Sequence, residues 1–281
     1  YEESLGIYRE MGDKVGISDL LNELGNTALY QGDYVAAQAL HEESLSLKRE
    51  MGNKQGIATS FLNLGMGAKA GISISLGNLG LVAWAQGNIT AARELLEESL
   101  SLKREIGDKA GIPGSLINLA SVALVQGNTT EARELLEESL TLIKEMDENL
   151  IMAYVLLVLG LVDLAENNPE ARGHIFHSLR LCVKMGAKVT QTSSLVGVAG
   201  LALQAGDARG AAQWLGAIES ALKVISAVLE PEVKHFHAQT LASVREQLGE
   251  SAFQSAWEAG QRLTMKEAVE MALKEKKKNK Q

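Results

Sequence analysis

The sequence predicts an all-α fold built from repeated helical hairpins, and two observations support this. Apolar residues make up 46% of the 281 residues and aromatic residues only 4%. A core of Leu, Ala, Val and Ile favours thin helical layers over a β-sandwich, which uses more Val, Thr and Tyr. One phrase, EESLSLKRE or a close variant, also occurs four times. Its copies begin at Glu2, Glu42, Glu97 and Glu137, so the spacings between them are 40, 55 and 40.

The repeating unit is therefore about 40 residues long, and its first half predicts one helix. A second phrase precedes three of the copies, at Leu24, Leu79 and Leu119. In the best-defined unit, residues 71–87 predict a helix because apolar residues recur every three or four positions along one stripe. The stripe consists of Ile72, Leu76, Leu79 and Ala83. A glycine at 87 followed by Asn88 predicts the end of this helix.

The second half of the unit predicts another helix, from about residue 89 to 106. Its inward face contains Ala92, Leu95, Leu96, Ser99, Leu100 and Leu102. Its outward face contains Arg93, Glu94, Glu97, Glu98, Lys103 and Arg104. A hairpin of two such helices is too thin to bury its own apolar face, so neighbouring hairpins must stack on it.

This unit resembles the tetratricopeptide repeat. The matching residues are Leu76, Leu79, Gly80, Ala83, Gly87, Ala92, Leu96 and Ser99. The same frame fits residues 21–44 and 116–139, and weaker matches cover 156–178, with an inter-helix turn one residue short, and 195–215. The resemblance implies a right-handed α-α superhelix over residues 1–228. The period exceeds the usual length of about 34, as in the long repeats of kinesin light chain and of many bacterial regulators.

The C-terminal segment resembles the end of large bacterial signalling regulators. The points of resemblance are Ala211, Ala212, Leu215, Gly216, Leu248, Gly249, Phe253, Trp257, Gly260 and Ala268. The resemblance implies that the chain is the repeat region of a larger regulator, and Tyr1 indeed begins within a predicted second helix. Residues 229–276 are expected to form two or three capping helices, because terminal repeats need a polar outer face. Residues 277–281 are expected to be a disordered basic tail.

The spacing of 55 indicates a truncated repeat at residues 51–70. It exceeds the regular spacing of 40 by 15, and residues 66–80 echo residues 51–65. Either a tight turn at 66–70 stacks two short helices, or one long helix runs from about 56 to 86. We favour the long helix, which keeps the apolar stripe in phase although three glycines weaken it. It would leave Phe61 and Leu64 without their own second helix, which makes them candidates for self-association.

Composition argues against several classes of protein. The formal net charge is −8, and basic residues cluster only in the tail, so direct nucleic-acid binding is not expected. The chain has one cysteine, Cys182, so no internal disulfide can form, and a reducing cytoplasm is the expected location. The longest apolar run, residues 150–162, is too short to span a bilayer and predicts a buried helix. No membrane association or signal peptide is expected.

The sequence shows no motif for catalysis or for a cofactor. The histidine pairs at 174 and 177 and at 235 and 237 lack cysteine or carboxylate neighbours at metal-ligand spacing. Neither a phosphate-binding loop nor a nucleophile elbow is present. We therefore expect a protein that is not an enzyme and that binds no metal or cofactor.

The expected function is protein binding, because the first helices of tetratricopeptide repeats line a concave groove. The resemblance places these residues in the groove: Asn22, Asn26, Tyr30, Ile74, Asn78, Leu81, Trp84, Ile117, Asn118, Leu124, Tyr154 and Leu161. From residue 74 on, the groove positions lack charge, which favours an apolar or amphipathic partner segment. Asn63, Asn78 and Asn118 recur one residue before the leucine of the repeat. The alternative to a contact with a partner is that each forms a hydrogen bond with neighbouring backbone. The groove could instead be filled by tight curvature or by a second copy in a homodimer.

Overall fold

The computed structural model describes residues 2–55, 61–146 and 149–278, and this part of the chain is helical throughout, without strands. The all-α fold class is therefore confirmed. The helices are α1 (Glu2–Met11), α2 (Lys14–Gln31), α3 (Tyr34–Gln55), α4 (Phe61–Ala85), α5 (Ile89–Ile106), α6 (Ile112–Val125), α7 (Thr129–Met146), α8 (Asn149–Ala165), α9 (Ala171–Met185), α10 (Lys188–Gln204), α11 (Ala208–Ile225), α12 (Pro231–Leu248), α13 (Glu250–Gln261) and α14 (Met265–Lys278).

The helices fall into two compact units, Tyr1–Val122 and Ala123–Gln281. In the first unit, α2 pairs with α3, α4 pairs with α5, and α3 packs against α4. In the second unit, α8 pairs with α9, α10 pairs with α11, and α9 packs against α10. Within each unit, consecutive helices thus pack as in a helical repeat, because each hairpin buries its apolar stripe against the next.

A glycine followed by Asp or Asn forms the turn inside the hairpins. Gly32 and Gly87 adopt left-handed conformations, with φ of 79° and 82°, which glycine reaches without steric cost. The next residue caps the following helix, because Oδ1 of Asp33 accepts a hydrogen bond of 3.1 Å from the backbone amide of Ala36. The predicted helix end at residues 87 and 88 is confirmed, since Asn88 caps α5 in the same way.

Close packing between paired helices explains the small residue that recurs in the first helix. A Cβ added to Gly80 would lie 2.8 Å from Cγ of Leu96 on the paired helix. A Cβ added to Gly160 would lie 2.5 Å from Cγ1 of Ile175. The partner of Gly160 thus follows one position sooner in the chain than the partner of Gly80. The predicted one-residue shortening of that hairpin is therefore confirmed, and Asn167 takes the left-handed conformation in its turn, with φ of 54°.

Helix α4 is continuous from Phe61 to Ala85, so the favoured long helix is confirmed for residues 61–85 and the turn at 66–70 is excluded. Residues 56–60 lie outside the described residues. Lys69 pairs with Glu105 as Lys14, at the equivalent position of α2, pairs with Glu50 at 2.7 Å. The repeat frame therefore enters α4 at Lys69, and the eight residues before it extend the helix by about two turns.

Helix α5 ends where the sequence predicts, but the prediction that Lys103 faces water is wrong. Ala92, Leu96, Ser99 and Leu100 are buried as expected. Lys103 was expected to face water, yet its Nζ donates to Oγ of Ser115 at 2.8 Å and to the carbonyl of Gly111 at 3.3 Å. Burial lowers the pKa of Lys103, while the nearby Asp108 opposes this shift.

The C-terminal segment forms three helices, α12 to α14. Helix α13 crosses α11 in direct backbone contact, because a Cβ on Gly216 would meet the carbonyl oxygen of Trp257 and one on Gly260 would meet that of Gln213. Helix α14 continues to Lys278, so residues 277 and 278 are helical and not part of a disordered tail. Residues 279–281 lie outside the described residues.

The apolar run at 150–162 lies in α8, whose residues from 155 to 164 are all buried, so the predicted buried helix is confirmed. Among the described helices, we find none that combines the length and the apolar character needed to cross a membrane.

Candidate protein-interaction site

The accessible part of the predicted groove in the first unit lies on α2 and α4. Ile74 is 48% exposed, whereas Asn78 and Leu81 are half-buried one and two turns further along α4. Their spacing of four and three residues places them on one face of the helix. Asn26 on α2 is also half-buried. This face therefore combines apolar side chains with carboxamides.

Other predicted groove residues are buried within the first unit. Asn22 is only 6% exposed, and its Oδ1 accepts a hydrogen bond from Oγ of Ser75 at 3.4 Å and lies 3.2 Å from Nδ1 of His41. Trp84 and Ile117 are buried as well. These side chains stabilise the packing beneath the face.

The remaining predictions for the first unit stay open. Asn118 is half-buried on α6. The side chains of Tyr30, Phe61, Asn63 and Leu64 lie outside the described residues. That any of these residues binds a partner or a second copy stays a prediction.

In the second unit, the start of helix α12 contacts the corresponding face. Leu161 is fully buried, and the hydroxyl of Tyr154 donates to Oε1 of Glu232 on α12. Burial, followed by the charges of Glu232 and Glu230, raises the pKa of Tyr154 and keeps its hydroxyl protonated as a donor. Leu124 is half-buried against the core of this unit. The sequence placed Tyr154 and Leu161 on the groove face but did not reveal that the chain's own α12 packs there.

The contacts of α12 follow the repeat frame. When the first residues of α8 and α10 are aligned, Ser193 is equivalent to Tyr154 and Gly200 to Leu161. Oγ of Ser193 donates to Oε2 of Glu230 at 2.7 Å. A Cβ on Gly200 would lie 2.8 Å from Cε1 of Phe236, which shows how closely that ring approaches α10. Equivalent positions of two adjacent first helices therefore hold one amphipathic helix.

Comparisons with known proteins agree with this architecture. Two models of the tetratricopeptide repeat family match residues 18–52 and 71–145. The chain contains a tetratricopeptide-repeat array. Such arrays generally mediate contacts between proteins.

The crystal structure of BtubC (BKLC) from P. vanneervenii resembles the tetratricopeptide-repeat chain in fold. The TM-score is 0.57 at 14% sequence identity, and the match covers 89% of this chain and 90% of that one. At this identity the likeness concerns the fold alone. No curated protein matches the sequence.

One ion-pair cluster in the array was missed by sequence reasoning. Asp163 on α8 is fully buried, with Oδ1 2.8 Å from Nη2 of Arg133 on α7 and Oδ2 2.6 Å from Nδ1 of His174 on α9. Burial acts to raise the pKa of Asp163, but the hydrogen bonds from His174 and Arg133 outweigh it and lower that pKa. Arg133 also contacts Glu166 at 2.5 Å. The cluster joins three consecutive helices of the array. Its members lie too far apart in the sequence to offer a local signal.

Cys182 and His235, whose side chains could be reactive, are buried or hydrogen-bonded within the fold. Cys182 is fully buried, and burial raises the pKa of its thiol, which disfavours a reactive thiolate. Nε2 of His235 lies 2.9 Å from the amide of Gln239, one turn along α12. Across the described ranges, no group of three or more His, Cys, Asp or Glu side chains is arranged to hold a metal ion.

Proposed function

We propose that this chain is a non-catalytic protein-interaction module that binds an apolar or amphipathic segment of a partner protein along the first helices of its repeats. The observation that carries the proposal is the contact of residues 230–236 with α8 and α10, because these residues begin an amphipathic helix and meet Tyr154, Ser193 and Gly200 at predicted groove positions of the repeat frame. The face of the first unit offers similar chemistry. Ile74 and Leu81 provide apolar contact, and Asn26 and Asn78 provide amide groups for the polar edge of a bound helix.

Site-specific crosslinking tests this proposal. Benzoylphenylalanine placed at Ile74, in the cells that make the protein, should form a covalent adduct with one partner protein, identified by mass spectrometry. The matched position is Val35, which is 78% exposed but lies on the second helix α3. The proposal predicts that the adduct at 74 is absent at 35 and is lost when Leu81→Glu is added. The same adducts at both positions, or none at either, would refute it.

Self-association is a second candidate function, in which two copies close their apolar grooves on each other. The extension of α4 before Lys69 favours it, because Phe61 and Leu64 lie on helical turns that precede the repeat frame. Light scattering across a hundredfold range of concentration should then give the mass of a dimer for the wild type and of a monomer for Phe61→Glu with Leu64→Glu. A monomeric wild type at every concentration rules this function out.

We also propose that the array serves as sensor or scaffold in a larger bacterial, cytoplasmic regulator. Support comes from the residues of the C-terminal resemblance, since Gly216, Trp257 and Gly260 meet where α11 crosses α13. The open reading frame of the gene tests this: a DNA-binding, cyclase or kinase module upstream is the expected result, and a frame that encodes only these repeats is the contrary one.

A further inference from the structure

Helix α12 is anchored to α8 and α10 by two acidic residues at its N-terminus. Glu232 is only 2% exposed and accepts a hydrogen bond from the hydroxyl of Tyr154. Glu230, immediately before the helix, accepts the hydroxyl of Ser193 at 2.7 Å, and burial raises its pKa. Carboxylates are seldom buried, because removing them from water is costly unless specific donors replace the water. The face therefore carries dedicated donors for an acidic first turn.

The apolar side of α12 follows directly after this acidic turn. Val233 is fully buried, and the ring of Phe236 lies close to Gly200 on α10. The opposite side of the helix, with Lys234, His235 and Gln239, is exposed. Helix α12 thus has the form of a helical ligand in a groove, with a carboxylate at one position and apolar anchors one and four residues later.

The connection to α11 is short and locally unfavourable. Ser226 adopts a left-handed conformation with φ of 51°, which non-glycine residues rarely take. Val228, two residues further on, is 73% exposed. Leu229 in this link is nevertheless buried in the core of the unit, and α12 also packs against α11 and α13. Displacement of α12 therefore has to break these contacts as well as those with α8 and α10.

We propose that the face formed by α8 and α10 is a helix-binding site for a partner helix with an acidic first turn and apolar residues one and four positions after its second carboxylate, and that α12 is a displaceable occupant which closes this site within the chain. Tyr154 and Ser193 recognise the carboxylates. Gly200 admits an aromatic ring. This extends the proposed use of first-helix faces to the second unit and adds competition between an internal and an external helix.

A labelled peptide of residues 228–249 tests the proposal in fluorescence anisotropy with the full chain. In Glu232→Gln with Phe236→Ala, the internal helix competes poorly, so the peptide should bind at least tenfold tighter than to the wild type. The matched variant, Lys234→Ala with Glu246→Ala on the exposed side of α12, should behave as the wild type. Adding Tyr154→Phe to the weakened protein should reduce its affinity for the peptide several-fold. A peptide with both anchor substitutions should not bind.

Equal peptide affinity for the weakened and wild-type proteins overturns the proposal, as does absence of saturable binding to a weakened protein with unchanged helix content. If the weakened protein unfolds, hydrogen exchange of the wild type decides. Excess peptide should then increase amide exchange in residues 231–240, and unchanged protection overturns the proposal. Crosslinking at Ile74 in the first unit is independent, so either result can fail while the other stands.

Discussion

The hydroxyl of Ser99 donates a hydrogen bond of 2.6 Å to the carbonyl oxygen of Ser73, which lies 26 residues earlier on the paired helix. Ser44 makes the same bond to the carbonyl of Ser18, at 2.7 Å and again 26 residues earlier. Both donor residues are fully buried. The two hairpins of the first unit therefore share one register, although α4 begins with an extension that α2 does not have. The recurring serine fixes where the two helices of a hairpin meet.

Substitution of Ser99 should lower the free energy of unfolding, and the loss should increase with the size of the new side chain. Ser99→Ala should lower the free energy of unfolding by about 1 kcal/mol, the typical value of one hydrogen bond. Ser99→Leu should cost roughly 3 kcal/mol or more, because a Cβ on Gly77 would lie only 3.2 Å from Oγ of Ser99 and the helices have no room for a larger side chain. Urea denaturation measures both. The exposed Ser101→Ala is the control, and an equal effect of Ser101→Ala and Ser99→Ala would contradict this account.

The hairpins could be predicted because their determinants are local. The apolar stripe of α5 and the turn at Gly87 and Asn88 are set by residues close in sequence, and both ends of α5 lie where expected. The long helix α4 could also be expected, since the echo between residues 51–65 and 66–80 is close to a whole number of helical turns and keeps its stripe on one face. Its start at Phe61 could not be read from the repeat frame alone, which enters only at Lys69.

Contacts between distant residues were beyond sequence reasoning. Glu232 and Tyr154 are 78 residues apart, and nothing in the local pattern indicates that the acidic turn before α12 is buried. Lys103 looks like an ordinary outward lysine of α5 and is recruited by Ser115 only after the helices pack. Tyr154 contacts Glu232 on α12, and this contact depends on tertiary structure; that Tyr154 and Leu161 belong to a partner-binding groove stays a prediction.

The crossing of α11 and α13 should be intolerant of any side chain at its glycines. Gly216→Ala and Gly260→Ala gain helix propensity of about 1 kcal/mol, but each Cβ would collide with a backbone carbonyl, which cannot move aside as a side chain can. We expect a net loss of roughly 2 kcal/mol or more in the free energy of unfolding. Gly173→Ala in α9 is the matched control, because its Cβ would meet nothing within 4 Å and should be stabilising. Thermal unfolding that ranks the three alike would show that the crossing is loose.

His41 should make the first unit sensitive to mild acid. It occupies the repeat position held by Leu96 and Leu136, is fully buried, and within the described structure its Nε2 has no hydrogen-bond partner. Burial, helped by the charge of Lys48, lowers its pKa from 6.5 to about 4. Between these values the unfolded chain binds a proton that the folded chain excludes. The free energy of unfolding should therefore fall as pH drops from 6.5 towards 4, by about 3 kcal/mol in all.

The substitution His41→Leu removes this proton linkage. The variant gives up the contact of His41 with Asn22, but Ser75 still donates to the same oxygen. Relative to the wild type, it should gain about 2 kcal/mol between pH 7 and pH 5. Urea titrations at the two pH values measure the difference. Parallel loss of stability in both proteins would mean that other groups cause the acid sensitivity.

The cluster around Asp163 should be the most sensitive electrostatic site of the second unit. Asp163→Asn should lower the free energy of unfolding by about 3 kcal/mol, because it leaves the Arg133 guanidinium without its buried partner. The double variant with Arg133→Met should cost less than the sum of the single variants, with a coupling of about 1–3 kcal/mol. The control is Glu97→Gln, which removes the exposed carboxylate of the surface pair between Arg93 and Glu97. It should change the free energy of unfolding by less than about 0.5 kcal/mol.

The pH dependence of this cluster is separate from that of His41. The pKa of Asp163 is lowered below its ordinary value of 3.8, so its contribution is fully present above about pH 4 and is lost as pH falls through the lower folded pKa. Below pH 4 the wild type should lose stability that Asp163→Asn has already lost, and the two unfolding curves should converge. Curves that stay equally far apart from pH 6 to pH 2 would show that Asp163 acts by packing and not by charge.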